Sequence, residues 1–143
     1  LSSSISVFNT GAVSQDGSRV IQRIPTLPPD FREANSVADI HITPDGKFVY
    51  VSNRGHNSIA IFSIDPDTGM LTAIGHESTK GKTPRNFGLD PSGSFLLAAN
   101  QDTDNIYSFQ VDQETGLLAP TGHHVHVPAP VCIKWLYRSA PER

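Results

Sequence analysis

The chain has 143 residues, a formal net charge of −3 with its six histidines counted neutral, and a single cysteine, Cys132. That length can bury the core of one domain, and the charge gives neither the basic footprint of a nucleic-acid binder nor an acidic solvating tail. A lone cysteine forms no internal disulfide, which speaks for a cytosolic setting. Apolar runs are short pieces such as residues 95–99, far below the roughly 20 residues of a membrane span. The opening Leu1-Ser2-Ser3-Ser4-Ile5 lacks the charged and apolar regions of a signal peptide, so any targeting segment is expected upstream.

In chain order, the first strand expected is Ile5-Ser6-Val7-Phe8. Four more are expected at residues 37–43, 47–53, 58–64 and 70–78, each bounded by turn residues. Pro44-Asp45-Gly46 sets one turn, with proline fixing one backbone angle and glycine free to take a positive one; Asp65-Pro66-Asp67-Thr68-Gly69 sets the next. Ser58-Ile59-Ala60-Ile61-Phe62-Ser63-Ile64 is apolar on both faces, as in a strand sandwiched between sheets. An offset of 47 residues then puts Pro44 on Pro91, Gly46 on Gly93, Asn53 on Asn100, Phe62 on Phe109, Asp65 on Asp112 and Gly69 on Gly116 without a gap. A period in the forties with turn residues in register is the signature of propeller blades.

Two complete four-stranded blades are therefore expected, from about residue 37 to 78 and from about 85 to 126, with almost no helix. Ile5-Ser6-Val7-Phe8 matches Ile59-Ala60-Ile61-Phe62, so the chain is expected to open at the third strand of a preceding blade. Pro130-Val131-Cys132-Ile133-Lys134-Trp135 stands where Pro84-Arg85-Asn86-Phe87-Gly88-Leu89 stood, and so falls as the innermost strand of a further blade. The division is residues 1–36, last strands of a blade and a linker; 37–84, a full blade; 85–129, a full blade; and 130–143, a first strand and tail. The fold class is all-β, a partial β-propeller. Such an arc leaves sheet faces open, whereas stable propellers close into rings, and the chain reads as a fragment of one.

The string His41-Ile42-Thr43-Pro44-Asp45-Gly46-Lys47-Phe48-Val49-Tyr50-Val51-Ser52-Asn53-Arg54-Gly55-His56 resembles the most characteristic segment of the 6-phosphogluconolactonase-like seven-bladed lactonases. So do Gly81-Lys82-Thr83-Pro84-Arg85-Asn86-Phe87, Ala99-Asn100-Gln101 and Val127-Pro128-Ala129-Pro130-Val131-Cys132. The resemblance covers residues 1–135. It implies a C-terminal portion of a seven-bladed ring that hydrolyses a sugar lactone, at a site on one mouth of the central channel built from arginines, a histidine and a glutamate. The family's glutamate precedes the segment matching Leu1-Ser2-Ser3-Ser4 and its Gly-Pro-Arg-His motif lies before that, so the general base is expected outside this sequence. Only Arg54, the arginine of Ser-Asn-Arg-Gly, carries over by motif.

Arg54 is the first catalytic candidate. Its repeat partner is Gln101, and a residue that differs where its neighbours match is suspect as functional. A guanidinium can stabilise the oxyanion of lactone hydrolysis or grip an anionic group; the alternative is a surface ion pair. His41, placed at the start of the innermost strand of the first full blade, is the second catalytic candidate, as a base facing the channel or else as a satisfied structural histidine. Arg85, which follows Pro84 and corresponds to Val131, is a candidate for substrate binding. So are Gln101 and Asn100, although Asn100 shares its position with Asn53, which favours a structural turn.

Other groupings carry less. His123, His124 and His126 lack a partner cluster for zinc, Asp102-Thr103-Asp104-Asn105 lacks the later ligands of a calcium loop, and Gly81-Lys82-Thr83 lacks the upstream glycine of a phosphate loop. No metal and no cofactor are expected. Cys132 reads as an inert core thiol. The expected partner is a small lactone, which the resemblance allows to be phosphorylated, with no nucleic acid and no membrane. Two alternatives stay open: a muconate-type lactonising enzyme, and a propeller that binds without chemistry.

Overall fold

The computed structural model describes residues 2–9 and 19–136; Leu1, residues 10–18 of the expected linker region and residues 137–143 of the expected tail lie outside the described residues. The strands are β1 Ser4–Asn9, β2 Arg19–Pro25, β3 Ser36–Ile42, β4 Phe48–Arg54, β5 Ser58–Ile64, β6 Leu71–Ser78, β7 Pro84–Leu89, β8 Phe95–Asn100, β9 Asn105–Val111 and β10 Leu118–His126, with one three-residue 3-10 turn at Gln101–Thr103. They form a two-stranded sheet, β1-β2, and two four-stranded antiparallel sheets, β3-β4-β5-β6 and β7-β8-β9-β10. The two four-stranded sheets are the two complete blades, and the two-stranded sheet packs on the first of them. The strands of the first complete blade fall within a residue of the expected bounds.

Turn chemistry explains why each hairpin closes where it does. Asp65 Oδ1 accepts the N–H groups of Asp67 and Thr68 and the Thr68 hydroxyl, and Asp112 Oδ1 accepts those of Glu114 and Thr115. These donors hold both carboxyls below the usual carboxylate value.

The core consists of two layers between sheets. Successive β4 side chains point to opposite faces. Phe48 and Tyr50 meet Phe87, Leu96, Ala98 and Phe109 of the following blade, while Val49 and Val51 meet Ile5, Val7 and Ile24 of the preceding sheet. An apolar strand without alternation is the sequence consequence of burial on both faces. The Tyr50 hydroxyl crosses the layer to donate to Gly116 O at 2.7 Å, and burial pushes its phenol well above the usual value. Tyr50→Phe leaves that carbonyl without its partner and is expected to cost about 1–3 kcal/mol in urea unfolding.

Beside the two-stranded sheet the layer is open. Ile40 is 50% exposed and Ile42 58%, whereas Phe87, the repeat counterpart of Ile40, is 0% exposed beneath a complete neighbour. Ile5, Val7, Ile40, Ile42 and Val49 line the resulting groove of about 470 Å³.

Hydrogen bonds repeat along with the strands. Asn53 Nδ2 donates to Thr26 O and Asn100 Nδ2 to Thr79 O, both at 2.8 Å, so each asparagine latches its blade to the strand exit of the one before. Asn57 and Asp104 both take left-handed backbone angles, and their side-chain oxygens accept the N–H of Thr83 and Ala129 as the chain enters the next unit. On the innermost strands, Asp39 Oδ2 accepts the Phe87 N–H at 3.3 Å, and its repeat partner Asn86 accepts the Ile133 N–H at 2.7 Å through Oδ1. Residues 131–136 therefore stand beside β7 as β7 stands beside β3, although they form no ladder. The thiol of Cys132 is exposed, not buried as the sequence suggested, because no strand of a further blade covers it among the described residues.

Candidate functional site

Ser36 pairs with Arg54 and Pro84 with Asn100, so the start of each innermost strand and the end of each second strand lie at one end of the blades. Residues 26–35, 55–57, 79–83 and 101–104 connect strands at that end, which in a closed ring would be one mouth of the channel. Arg54 closes β4 at this mouth. It follows the buried Asn53 latch, and alternation turns its side chain toward the following blade. One terminal nitrogen donates to Val37 O over 3.4 Å, at the long limit of a hydrogen bond, and the buried Nε has no partner. The guanidinium forms no ion pair among the described residues and keeps most of its donors unused.

Gly55 explains the shape next to it. At φ +126° it takes a backbone conformation that suits glycine, and a Cβ there would stand 2.2 Å from Ala34 O. The 26–35 strap rests directly on this glycine. His56 packs edge-on against Phe31 of the strap at 4.9 Å and lies 5.5 Å from His76, whose Nε2 donates to Thr26 O. Burial, then the neighbouring His76, outweighs the opposing pull of Asp30 and holds His56 below the ordinary histidine value. The unfolded chain therefore takes up its proton first, and stability is expected to fall as pH drops below about 6.5. Melting scans between about pH 7.5 and about pH 5 check this; His56→Gln should flatten the slope in that window.

The expected site residues do not all meet. Arg54, Arg85 and Gln101 share the mouth. Arg85 is exposed on the irregularity between Pro84 and Asn86 and makes no side-chain hydrogen bond or ion pair among the described residues. Among the described residues the Gln101 side chain is also unengaged, and only its backbone N–H is used, on Thr83 O.

His41 is not at the start of the innermost strand, as the sequence suggested, but next to its end. It pairs with Tyr50 while Ser36 pairs with Arg54, which puts His41 and Arg54 four residues, or about 13 Å, apart along the ladder. Its Nε2 donates to Asp39 Oδ2 at 3.0 Å and its ring stands edge-on to Phe87 at 4.7 Å. The space it occupies is filled in the next unit by Ile133 and Trp135, which approach Gly88.

Asn100 is corrected as a substrate-binding residue. It is fully buried, with Nδ2 donating to Thr79 O and to Asn105 Oδ1, and so repeats the latch of Asn53. His124, from the discarded zinc grouping, stacks on Tyr107 at 4.8 Å.

Asn35 and Gly55 were not singled out from the sequence. Gly55 was visible inside the Ser-Asn-Arg-Gly string; Asn35 lies in the connecting strap and offered no such signal.

Four-stranded blades wound in sequence and joined by repeated side-chain ties define a β-propeller, with an underused arginine at one mouth. Within that class the chain belongs to the lactonase, 7-bladed beta-propeller family, whose model matches residues 1–135. It is similar to the 6-phosphogluconolactonase of Bacillus subtilis, at 44% identity over 120 residues covering 84% of this chain and 34% of that protein. It is also similar to the 6-phosphogluconolactonase of Formosa agariphila, at 64% identity over 55 residues covering 37% of this chain and 16% of that one. Among solved structures, the periplasmic gluconolactonase of Pseudomonas aeruginosa superposes with a TM-score of 0.87 at 30% identity, over 94% of this chain and 37% of its own. A protein from Lactobacillus plantarum superposes with a TM-score of 0.86 at 38% identity, over 96% and 40%. The chain thus spans about a third of the length of the Bacillus relative it matches.

Proposed function

We propose that this chain is the C-terminal portion of a seven-bladed lactone hydrolase and supplies one wall of its channel mouth. Residues 1–36, 37–84, 85–129 and 130–143 are then, in order, the outer half of a blade with its linker, two whole blades, and the innermost strand of a further blade with its tail. The open groove beside Ile40 and the Ile133 contact with Asn86 support that division.

The observation that carries the function is the guanidinium of Arg54, held at the mouth with its Nε buried and unpartnered. In the reaction, a water oxygen attacks the lactone carbonyl carbon and gives up a proton to a base outside this chain. The bond from the carbonyl carbon to the ring oxygen breaks, the base returns its proton to that oxygen, and the new carboxylic acid releases its own proton to solvent, leaving a carboxylate and a free hydroxyl. Arg54 stabilises the negative charge that develops on the carbonyl oxygen. Arg85 and Gln101, with free side chains at the same mouth, contact the substrate's polar groups. A phosphorylated sugar lactone is the substrate we favour, on the likeness to the 6-phosphogluconolactonases of Bacillus subtilis and Formosa agariphila.

The test is hydrolysis of 6-phosphogluconolactone beside gluconolactone and a muconolactone by the longer protein. Turnover of none of them means a binding propeller, and turnover of the muconolactone alone means the lactonising alternative. This chain by itself is expected to be inactive and prone to aggregate through its open faces, which size-exclusion chromatography and the same assay check. Among the described residues no helix is long and apolar enough to cross a membrane; the lone exposed Cys132 supports a cytoplasmic protein, which cell fractionation tests.

A further inference from the structure

Asn35 joins three elements of the mouth through one side chain. Its Nδ2 donates to Ser3 Oγ at 2.9 Å and to Asn53 Oδ1 at 3.2 Å, and its Oδ1 accepts the His56 N–H at 3.0 Å. Those contacts hold the residue before Arg54 and the second residue after it. The residue between, Gly55, is pressed against the same strap, since a Cβ on it would stand 2.9 Å from the Asn35 Cα. The backbone that carries Arg54 is thus fixed on both sides by Asn35, and the entrance to β1 is tied to the same point.

The next unit shows that a blade does not need this arrangement to fold. There the contacts are different: the Lys82 N–H donates to Thr103 Oγ1 at 3.0 Å, the Thr83 hydroxyl donates to Asp102 Oδ2 at 2.5 Å, and a Cβ on Gly81 would stand 2.5 Å from the Thr103 hydroxyl. The mouth residue in that unit is Gln101 in place of arginine. The chain departs from its repeat both at the strap and at the mouth residue beside which the strap lies.

We propose that Asn35 is a positioning residue for Arg54: it sets where the guanidinium stands at the mouth and registers the β1 entrance against it. This rests on the lactone hydrolase proposed above. With Asn35 removed, the Asn53–His56 segment loses its outer anchor and the arginine, which has only one long hydrogen bond of its own, loses its aim.

The experiment is a double-mutant cycle in the longer protein, measuring kcat and KM for 6-phosphogluconolactone in wild type, Asn35→Ala, Arg54→Ala and the double variant, with a melting curve for each. A displacement of the arginine by about 1 Å is expected to cost roughly 10–100-fold, mainly in kcat. On the Arg54→Ala background the Asn35→Ala change should cost less than about twofold, because the group it positions is gone. The nearly isosteric Asn35→Asp, which keeps the acceptor for His56 but loses both donors, is carried through the same cycle; it is expected to show the same non-additivity and serves if Asn35→Ala does not fold. Equal losses on both backgrounds would overturn the inference and leave the lactonase reading standing. An Arg54→Ala protein with wild-type kcat/KM would overturn that reading and this inference with it.

Discussion

Replacing Arg54 by alanine in the longer protein is expected to lower kcat/KM by on the order of 10²–10³, the loss that follows removal of one preorganised donor from a developing oxyanion. Little stability should go with it. Arg54 makes one hydrogen bond at 3.4 Å and no ion pair among the described residues, so the melting temperature should change by no more than about 1 kcal/mol of surface pairing allows. Lysine should restore only part of the rate, since it keeps the charge but not the planar fork. Steady-state kinetics beside a melting curve decide the matter. Unchanged catalysis with a lowered melting point would make Arg54 structural and end the site assignment.

The largest stability effect is expected at Phe87. It is 0% exposed in the layer between the two complete blades, and Phe87→Ala should destabilise this chain by about 3–5 kcal/mol through lost burial and the cavity left behind. Ile40 occupies the same place in the preceding repeat but is 50% exposed, so Ile40→Ala should cost about 1 kcal/mol or less here. In the longer protein, where the preceding blade is whole, the same Ile40→Ala should cost about 2–5 kcal/mol. Urea unfolding of the three variants beside the two parent proteins measures all of this. An Ile40 effect equally small in both lengths would mean that no strands fill the groove at β1, and would count against the fragment assignment.

Much of the architecture was legible because the turn residues carry it. Aspartate, glycine and proline recur at fixed offsets, and each performs the same backbone task in both blades, so period and strand order followed from local chemistry. The latch role of Asn53 and Asn100 was half legible for the same reason: a residue that repeats serves the fold. Position along a strand was harder to read. His41 belongs near the end of β3, and only the pairing register, with its irregularity between Val37 and Ile40, shows how far it lies from Arg54. Asn35 was invisible because its partners are 18, 21 and 32 residues away in sequence, and no local pattern encodes such contacts. The exposure of Cys132 was misjudged because burial there depends on strands that these residues do not provide.

The paired acceptors on the innermost strands bear on how such a ring can grow. Asp39 receives an N–H from the following unit, and Asn86 receives one from the unit after that. In each of these ties the acceptor and the backbone donor belong to different repeats. A solitary repeat would therefore leave half of a tie unmade on each side, and each copy added to an open row completes one tie while moving the two orphans to the new ends. The number of orphans stays constant however many copies accumulate. Only joining the last copy to the first removes them, so duplication of this unit carries a built-in reward for closure that is independent of the blade count.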